Sequence, residues 1–465
     1  MLTKKNYFTR INILNLLIVL IPVSMAIGNL VINVIVVLIC IVGLLTYGLK
    51  IFKLDQKIIQ YLIYSFFSYL ILITIIRNFP NLSDARYYEY ADILSFFFSH
   101  NWEYILKSFL FLRFLILFLV LNYLIKEKKF YIKFFFISAA SMTLLVSFTE
   151  VLNYISEKNM LIFFSNEKIA GGYIQRFSLF FLSALAILSF NSSSYKKVYF
   201  FIFLFFILFF IISIGVSQNR MPLLIYFCSV SFFFILIQKN RKKLKTALLV
   251  SFFICSVFFV SLIKFFPGCA YSKDCEGLNN KHIVVLMNSF VGNVTEILTV
   301  APELFYFGSL DRPINFASGY LITFNSGVQT WKKNKLFGGG LKSFRVNCTQ
   351  YHKNYTGTNY QFQVCNTHPH NYIIEMLVDT GIVGMSIFYS IFIVIIFNFY
   401  KEWRKFNYKN YSTSFFVIMC FELFPIRSSG SFFSTGNAIL IFFLLAILIN
   451  ISKIESLTFK DRLKN

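Results

Sequence analysis

The stretch 197–237, KVYFFIFLFFILFFIISIGVSQNRMPLLIYFCSVSFFFILI, decides the fold class. Two apolar runs, 197–217 and 221–237, flank a short polar hinge, and the basic stretch QKNRKKLK follows at 238–245. Each run is close to the ~20 residues that cross the hydrocarbon of a bilayer. Outward from this pair, similar runs stand at 11–28, 29–48, 58–76, 104–124, 131–151, 176–190, 246–266, 381–400, 411–426 and 432–451. The expectation is an all-α polytopic membrane protein with about twelve transmembrane helices. The runs 176–190 and 411–426 are short, so tilt, extension or re-entry stays open for both.

Composition agrees. Of 465 residues, 57% are hydrophobic and only 14% charged, against roughly 25% charged in a soluble chain. Disorder needs low hydrophobicity, and a membrane barrel needs ~10-residue alternating segments; neither pattern is present.

The net charge of +24 raises the question of nucleic acid, and the distribution of the cations answers it. Lys4, Lys5 and Arg10 precede the first run, and Lys50, Lys53 and Lys57 follow the second. Further clusters follow runs four, six, eight and ten, and Lys453, Lys460, Arg462 and Lys464 close the chain. Every second loop is basic, so the charge is an orientation signal, with both termini cytoplasmic and no nucleic-acid partner. The first run has no evident cleavage site before the second begins, so it reads as an anchor.

The opposite loops face outward, and one is long. Three regions follow: 1–266 with about nine helices, the polar segment 267–380 as a large outer loop, and 381–465 with about three helices and a tail. Loops of this length usually carry function. Cys269, Cys275, Cys348 and Cys365 all fall in it, which suggests two disulfides on an oxidising side. Sequence order favours Cys269–Cys275 and Cys348–Cys365, with three pairings possible and a zinc site as the rival reading.

The densest polar cluster is NTHPHNYIIEMLVDTGIVG, residues 366–384. His368 and His370 precede an amphipathic turn that Asn371 can cap, and Glu375 and Asp379 follow at helical spacing. A histidine near the membrane surface can exchange a proton near neutral pH, although a solvated loop histidine is the commoner case. Arginines stand where they are costly. Arg113 is deep in SFLFLRFLILF, Arg176 begins run six, Arg220 stands between runs seven and eight, and Arg427 lies in FPIRSSGSFFSTGN. Topology puts Arg176, Arg220 and Arg427 at the outer face, and several arginines beside a histidine suggest an anionic, lipid-linked substrate. Glu422 is a candidate partner for one of them.

Three stretches resemble the O-antigen ligase and O-antigen polymerase superfamily of bacterial envelope glycan transferases. HPHNYIIEMLVDTGIVG is similar to that family's His-Asn, Leu, Glu, Gly-x-x-Gly signature, with Asp379 where the family usually has Glu. GVSQNRMPLL is similar to its Ser-Arg-Gly segment, with Asn219 and Met221 as departures and Arg220 kept. WKKNKLFGGGLKSF, residues 331–344, is similar to its Trp and Gly-x-Gly-x-x-x-Phe segment. The resemblance spans roughly residues 165–440.

It implies a membrane glycosyltransferase of the C type at the periplasmic face of the inner membrane, with no metal or other cofactor. The donor would be a glycan on undecaprenyl pyrophosphate, and the acceptor lipid A–core sugar in a ligase or a second lipid-linked unit in a polymerase. Within that reading His370 is the candidate base, with Glu375 or Asp379 orienting it. Arg220, Arg176, Arg427 and Arg113, with Asn371, are the candidate substrate contacts. The single long outer loop leans towards ligase. A transporter of the same lipid is the rival class, disfavoured because the chain shows no paired halves.

Overall fold

A computed structural model describes residues 4–78, 100–156, 167–191, 196–217, 220–237, 319–351, 365–405, 412–425, 427 and 430–452. Every regular element among them is helical. The helices are α1 (Lys4–Val19), α2 (Ile21–Ile27), α3 (Asn29–Tyr47), α4 (Lys57–Asn78), α5 (His100–Lys126), α6 (Ile132–Ser156) and α7 (Glu167–Asn191). They continue as α8 (Lys196–Val216), α9 (Arg220–Ile237), α10 (Gly319–Lys333), α11 (Phe344–Tyr351), α12 (Tyr372–Lys405), α13 (Ser412–Glu422) and α14 (Thr435–Ile449).

Each apolar run that falls within the described residues is helical; the run 246–266, with Cys269 and Cys275, lies outside them. Five described helices are long and apolar enough to cross a membrane, or six if the bent pair α1–α2 forms one span. Their bend of 44° falls just before Pro22, a residue that lacks the amide for a continuous ladder. Four more apolar stretches, Phe201–Val216, Met221–Leu236, Ser412–Glu422 and Thr435–Ile449, are shorter. The expected count of about twelve spans is therefore not reached by length and composition among these residues.

The core explains the short last helix. α14 is apolar on every side, and each residue from Ala438 to Ile449 is buried. A helix without a polar face belongs in the middle of a bundle. α5, α13, α3 and α12 pack around it. Phe67, Phe111 and Phe114 meet Phe442, while Phe135 and Phe415 meet Phe443. The bundle's outside is apolar as well: Leu30, Phe134, Phe201, Phe205 and Phe397 are exposed. Water does not favour such a surface, and lipid does.

Two sequence expectations shift here. The run at 176–190 is not short: α7 begins at Glu167, so Arg176 lies more than two turns inside a helix rather than at its start. The polar segment 267–380 is not all loop, because α10, α11 and the first turns of α12 belong to it.

Candidate active site

α12 carries the His-Asn signature at its head and a break at Gly381, whose φ of 65° and ψ of −171° are non-helical. That conformation is essentially open to glycine alone. A break frees backbone groups, and in an apolar setting each must find a partner. Here the glycine-rich stretch 335–340 fills the gap. The Gly339 and Gly340 amides donate to the Val378 and Asp379 carbonyls at 2.8 and 2.9 Å. The Ile382 and Val383 amides donate to the Lys335 and Leu336 carbonyls at 3.0 and 3.1 Å. An unbroken helix would join those same amides and carbonyls directly, so the inserted strand of loop replaces two helical bonds with four. Gly338, at φ 76°, passes so close that a Cβ on it would fall 2.5 Å from the Gly381 nitrogen. α4 secures the insert: Thr74 Oγ1 accepts from the Leu341 amide, and Arg77 Nε donates to the Gly338 carbonyl. Tyr69 brings its hydroxyl to the Phe337 and Thr380 carbonyls.

The two expected carboxylates lie on the N-terminal side of the break, both buried. Asp379 accepts from the Lys342 amide at 2.7 Å and the Ser343 hydroxyl at 3.0 Å. Glu375 accepts from the Ser431 hydroxyl and the Phe432 amide, each at 2.5 Å. Each carboxylate thus ties α12 to a neighbouring segment.

The helix start is capped as the sequence suggests. Asn371 Oδ1 accepts from the Ile373 and Ile374 amides. Its Nδ2 donates to the Pro425 carbonyl at 2.6 Å and the Arg427 carbonyl at 3.2 Å. His370, immediately before it, has φ 52°, a left-handed turn that an L-residue seldom adopts. Its Nε2 lies 3.1 Å from the Asn366 amide nitrogen. With that amide donating, Nε2 is the unprotonated ring nitrogen, the state a general base requires.

The His368 and His370 rings are 4.2 Å apart between centroids. Burial, then the neighbouring His370, Arg345 and Lys342, push the His368 imidazole down to about 4. Its Nε2 is buried without a hydrogen-bond partner among the described residues. Arg345 Nε donates to the Thr367 carbonyl, and the Cys348–Cys365 disulfide ties α11 to the same loop.

Beneath the cap lies a buried ion cluster. Glu422, fully buried, accepts from Arg176 Nε at 2.7 Å, from Arg176 Nη2 at 3.0 Å and from Arg427 Nη1 at 2.5 Å. The expected partner of an intramembrane arginine is thus present and shared by two. Arg176 Nη2 also donates to Asn437 Oδ1 at 2.9 Å and comes within 3.4 Å of the Tyr372 hydroxyl. Arg113 stands apart, donating to Thr435 Oγ1 at 3.1 Å with its guanidinium over the Phe114 ring. Its Nε is buried and has no hydrogen-bond partner among the described residues. Arg220 opens α9, and its side chain lies outside the described residues.

The structure thus brings His370, Asn371, Glu375, Asp379, Arg176 and Arg427 onto one connected scaffold. The sequence reading passed over Lys342, Arg345, Ser431 and Asn437. The only signal for the first two was their position one turn apart directly after the glycine run. Among the described residues no group of three or more His, Cys, Asp or Glu is arranged to hold a metal ion.

Residues 202–389, less than half of the chain, match a protein-family model described as O-antigen ligase. The match takes in the glycine run and the His-Asn signature, and it supports the O-antigen ligase superfamily. That superfamily indicates a ligase-type or polymerase-type glycan transferase of a bacterial membrane, acting on lipid-linked glycans. No curated protein matches the chain.

Proposed function

We propose that this chain, with its O-antigen ligase match, moves a glycan from undecaprenyl pyrophosphate onto an acceptor sugar at the periplasmic face of the inner membrane. Its termini are cytoplasmic, its spans number about twelve, and the segment 267–380 is periplasmic. Reporter fusions after Asn240 and Asn354 should read cytoplasm and periplasm respectively; the reverse would sink this orientation. The acceptor is lipid A–core sugar, as in a ligase.

The observation that carries the reading is Asn371. It caps the helix behind His370 and donates to the carbonyl of Arg427, so the candidate base and the arginine cluster are one bond apart in the scaffold. Glycan transfer from a lipid pyrophosphate needs both groups. The acceptor hydroxyl loses a proton as it attacks the anomeric carbon, and His370 Nε2 takes it once that hydroxyl has replaced the Asn366 amide at this nitrogen. The departing pyrophosphate gains negative charge, and fixed guanidinium groups stabilise it. Two arginines against one carboxylate leave one positive charge in excess in the buried cluster. Arg220 is the first ligand of the pyrophosphate, with Arg113, Arg176 and Arg427 supporting it. Glu375 and Asp379 hold the segments that set the orientation of His370, and the reaction proceeds without a metal.

The test is transfer of a lipid-linked glycan by purified protein in nanodiscs. His370→Ala should lower turnover by roughly 10²–10⁴ with donor binding nearly unchanged. Arg220→Lys should weaken both binding and turnover, because it keeps the charge and loses the planar fork. Full activity of His370→Ala removes the base assignment, and loss of activity with EDTA, restored by a divalent ion, removes the metal-free step. In cells, a deletion strain that accumulates free lipid-linked long chains supports the ligase; single-repeat chains assign a polymerase instead.

A further inference from the structure

Lys342 and Arg345 stand one turn apart, with the Arg345 amide on the Lys342 carbonyl at 3.4 Å. The turn is fixed in place. The Lys342 backbone, at φ 60°, is anchored by its amide on Asp379, and Arg345 is anchored by Nε on the Thr367 carbonyl. Thr367 directly precedes His368, whose buried Nε2 lacks a hydrogen-bond partner among the described residues and whose ring touches that of His370. Arg345 and Lys342 thus lie near enough for their charges to act on His368, whose ring touches that of the candidate base His370. The nearest carboxylates, Glu375 and Asp379, act on Lys342 as counter-charges, and their oxygens are held by the Lys342 amide, Ser343, Ser431 and Phe432. Lys107, which adds to the positive field at Lys342, is paired with Glu103.

We infer that the Lys342–Arg345 turn, with His368, binds an anionic group, phosphate or carboxylate, on the acceptor saccharide and so presents its hydroxyl to His370. This rests on the transferase reading above and names a substrate feature it leaves open. The assignment to acceptor rather than donor follows from displacement geometry. The attacking and leaving oxygens lie on opposite sides of the anomeric carbon. The base stands beside the attacking oxygen, so cations packed around it meet the acceptor. The pyrophosphate leaves on the other side, towards arginines of the helices. Guanidinium and ammonium donors to a phosphate or carboxylate make the stronger class of hydrogen bond.

The test is a binding measurement, so it does not depend on turnover. Glucose 6-phosphate, glucuronate, glucose and inorganic pyrophosphate are titrated calorimetrically into the full chain in nanodiscs of zwitterionic lipid. Lys342→Gln keeps the Arg345 anchor, and Arg345→Lys keeps the charge; the Cys348–Cys365 bond, checked by mass, verifies that each variant is folded. Expected are binding of glucose 6-phosphate or glucuronate in preference to glucose, and a loss of about tenfold in Lys342→Gln, the scale of one charge-assisted bond. Arg345→Lys should lose less than Arg345→Gln, and pyrophosphate affinity should hold in all three. Unchanged anion affinity in Lys342→Gln and Arg345→Gln overturns the inference. So does a loss confined to pyrophosphate, which would assign the turn to the donor. Anion binding that survives in an active His370→Ala would refute the base while leaving this site standing.

Discussion

Gly381→Ala should uncouple the two motifs of the polar segment. The residue sits at φ 65°, ψ −171°, and the side chain of alanine would press on the Leu336 carbonyl and lie 2.6 Å from the Gly338 nitrogen. The backbone conformation alone costs an L-residue about 1–3 kcal/mol. Relieving the clash means withdrawing stretch 335–340, which forfeits four backbone hydrogen bonds, at roughly 1 kcal/mol each. Re-forming the two direct helical bonds returns about half of that. Withdrawal also releases the strain at residue 381, so the two costs do not add, and the expected loss is about 2 kcal/mol, still an appreciable part of a domain's usual 5–15. The assay is thermal unfolding in detergent, with glycan transfer measured alongside. Gly172→Ala is the control: it lies inside α7 with nothing within 4 Å of an added Cβ, so it should be neutral or slightly stabilising. A Gly381→Ala protein with the wild-type unfolding temperature and full activity would refute the splice between the glycine run and the broken helix.

Other outcomes follow from the same geometry. Glu422→Gln strips the shared carboxylate from Arg427, which is buried, and from Arg176, which is partly buried, and should cost about 3–5 kcal/mol. Unfolding temperatures of the single variant and of Glu422→Gln with Arg427→Met decide it, and an unchanged single variant contradicts the cluster. His368, pushed down to about 4, binds fewer protons folded than unfolded between that value and 6.5. Stability should therefore hold above pH 6.5 and fall as pH drops towards 4, less steeply in His368→Gln; an imidazole resonance titrating near 6.5 would count against it. Cys348→Ser should cost about 3 kcal/mol, the scale for a loop of this size, and peptide mapping without reductant should recover Cys348 joined to Cys365.

Much of this was legible because a bilayer leaves the chain few options. Runs such as 432–451 had to be helical, and Asn371 before an amphipathic segment had to be a cap. Glu422 was a foreseeable partner, since a carboxylate inside an apolar span needs a cation. What the sequence withheld depends on pairing across distance. Nothing local to Gly381 announces that residues 335–340 will enter the helix there, because the partners are some 40 residues away. The depth of Arg176 was not legible because the apolar run begins only at that residue, whereas α7 already begins at Glu167. Glu375 and Asp379 have the spacing of catalytic carboxylates, but spacing does not show that Ser431, Phe432, Lys342 and Ser343 already occupy their oxygens.

The broken helix also accounts for how a base on a polar loop can keep register with arginines inside a membrane bundle. A loop histidine alone would wander by more than the tolerance of proton transfer, where a displacement near 1 Å is costly. Here the loop is held from three directions. The disulfide and Arg345 fix it to α11, Asn371 fixes it to the segment carrying Arg427, and the glycine splice fixes α12 to the turn bearing Lys342. The ties end on α11, on the segment between α13 and α14, and on the turn between α10 and α11, so no single rotation of one helix can carry His370 away from the cluster. The exposed residues beside the two imidazoles are Arg345, Asn366 and Thr367. A saccharide that enters there meets a scaffold already arranged, so its binding energy need not be spent on ordering the site.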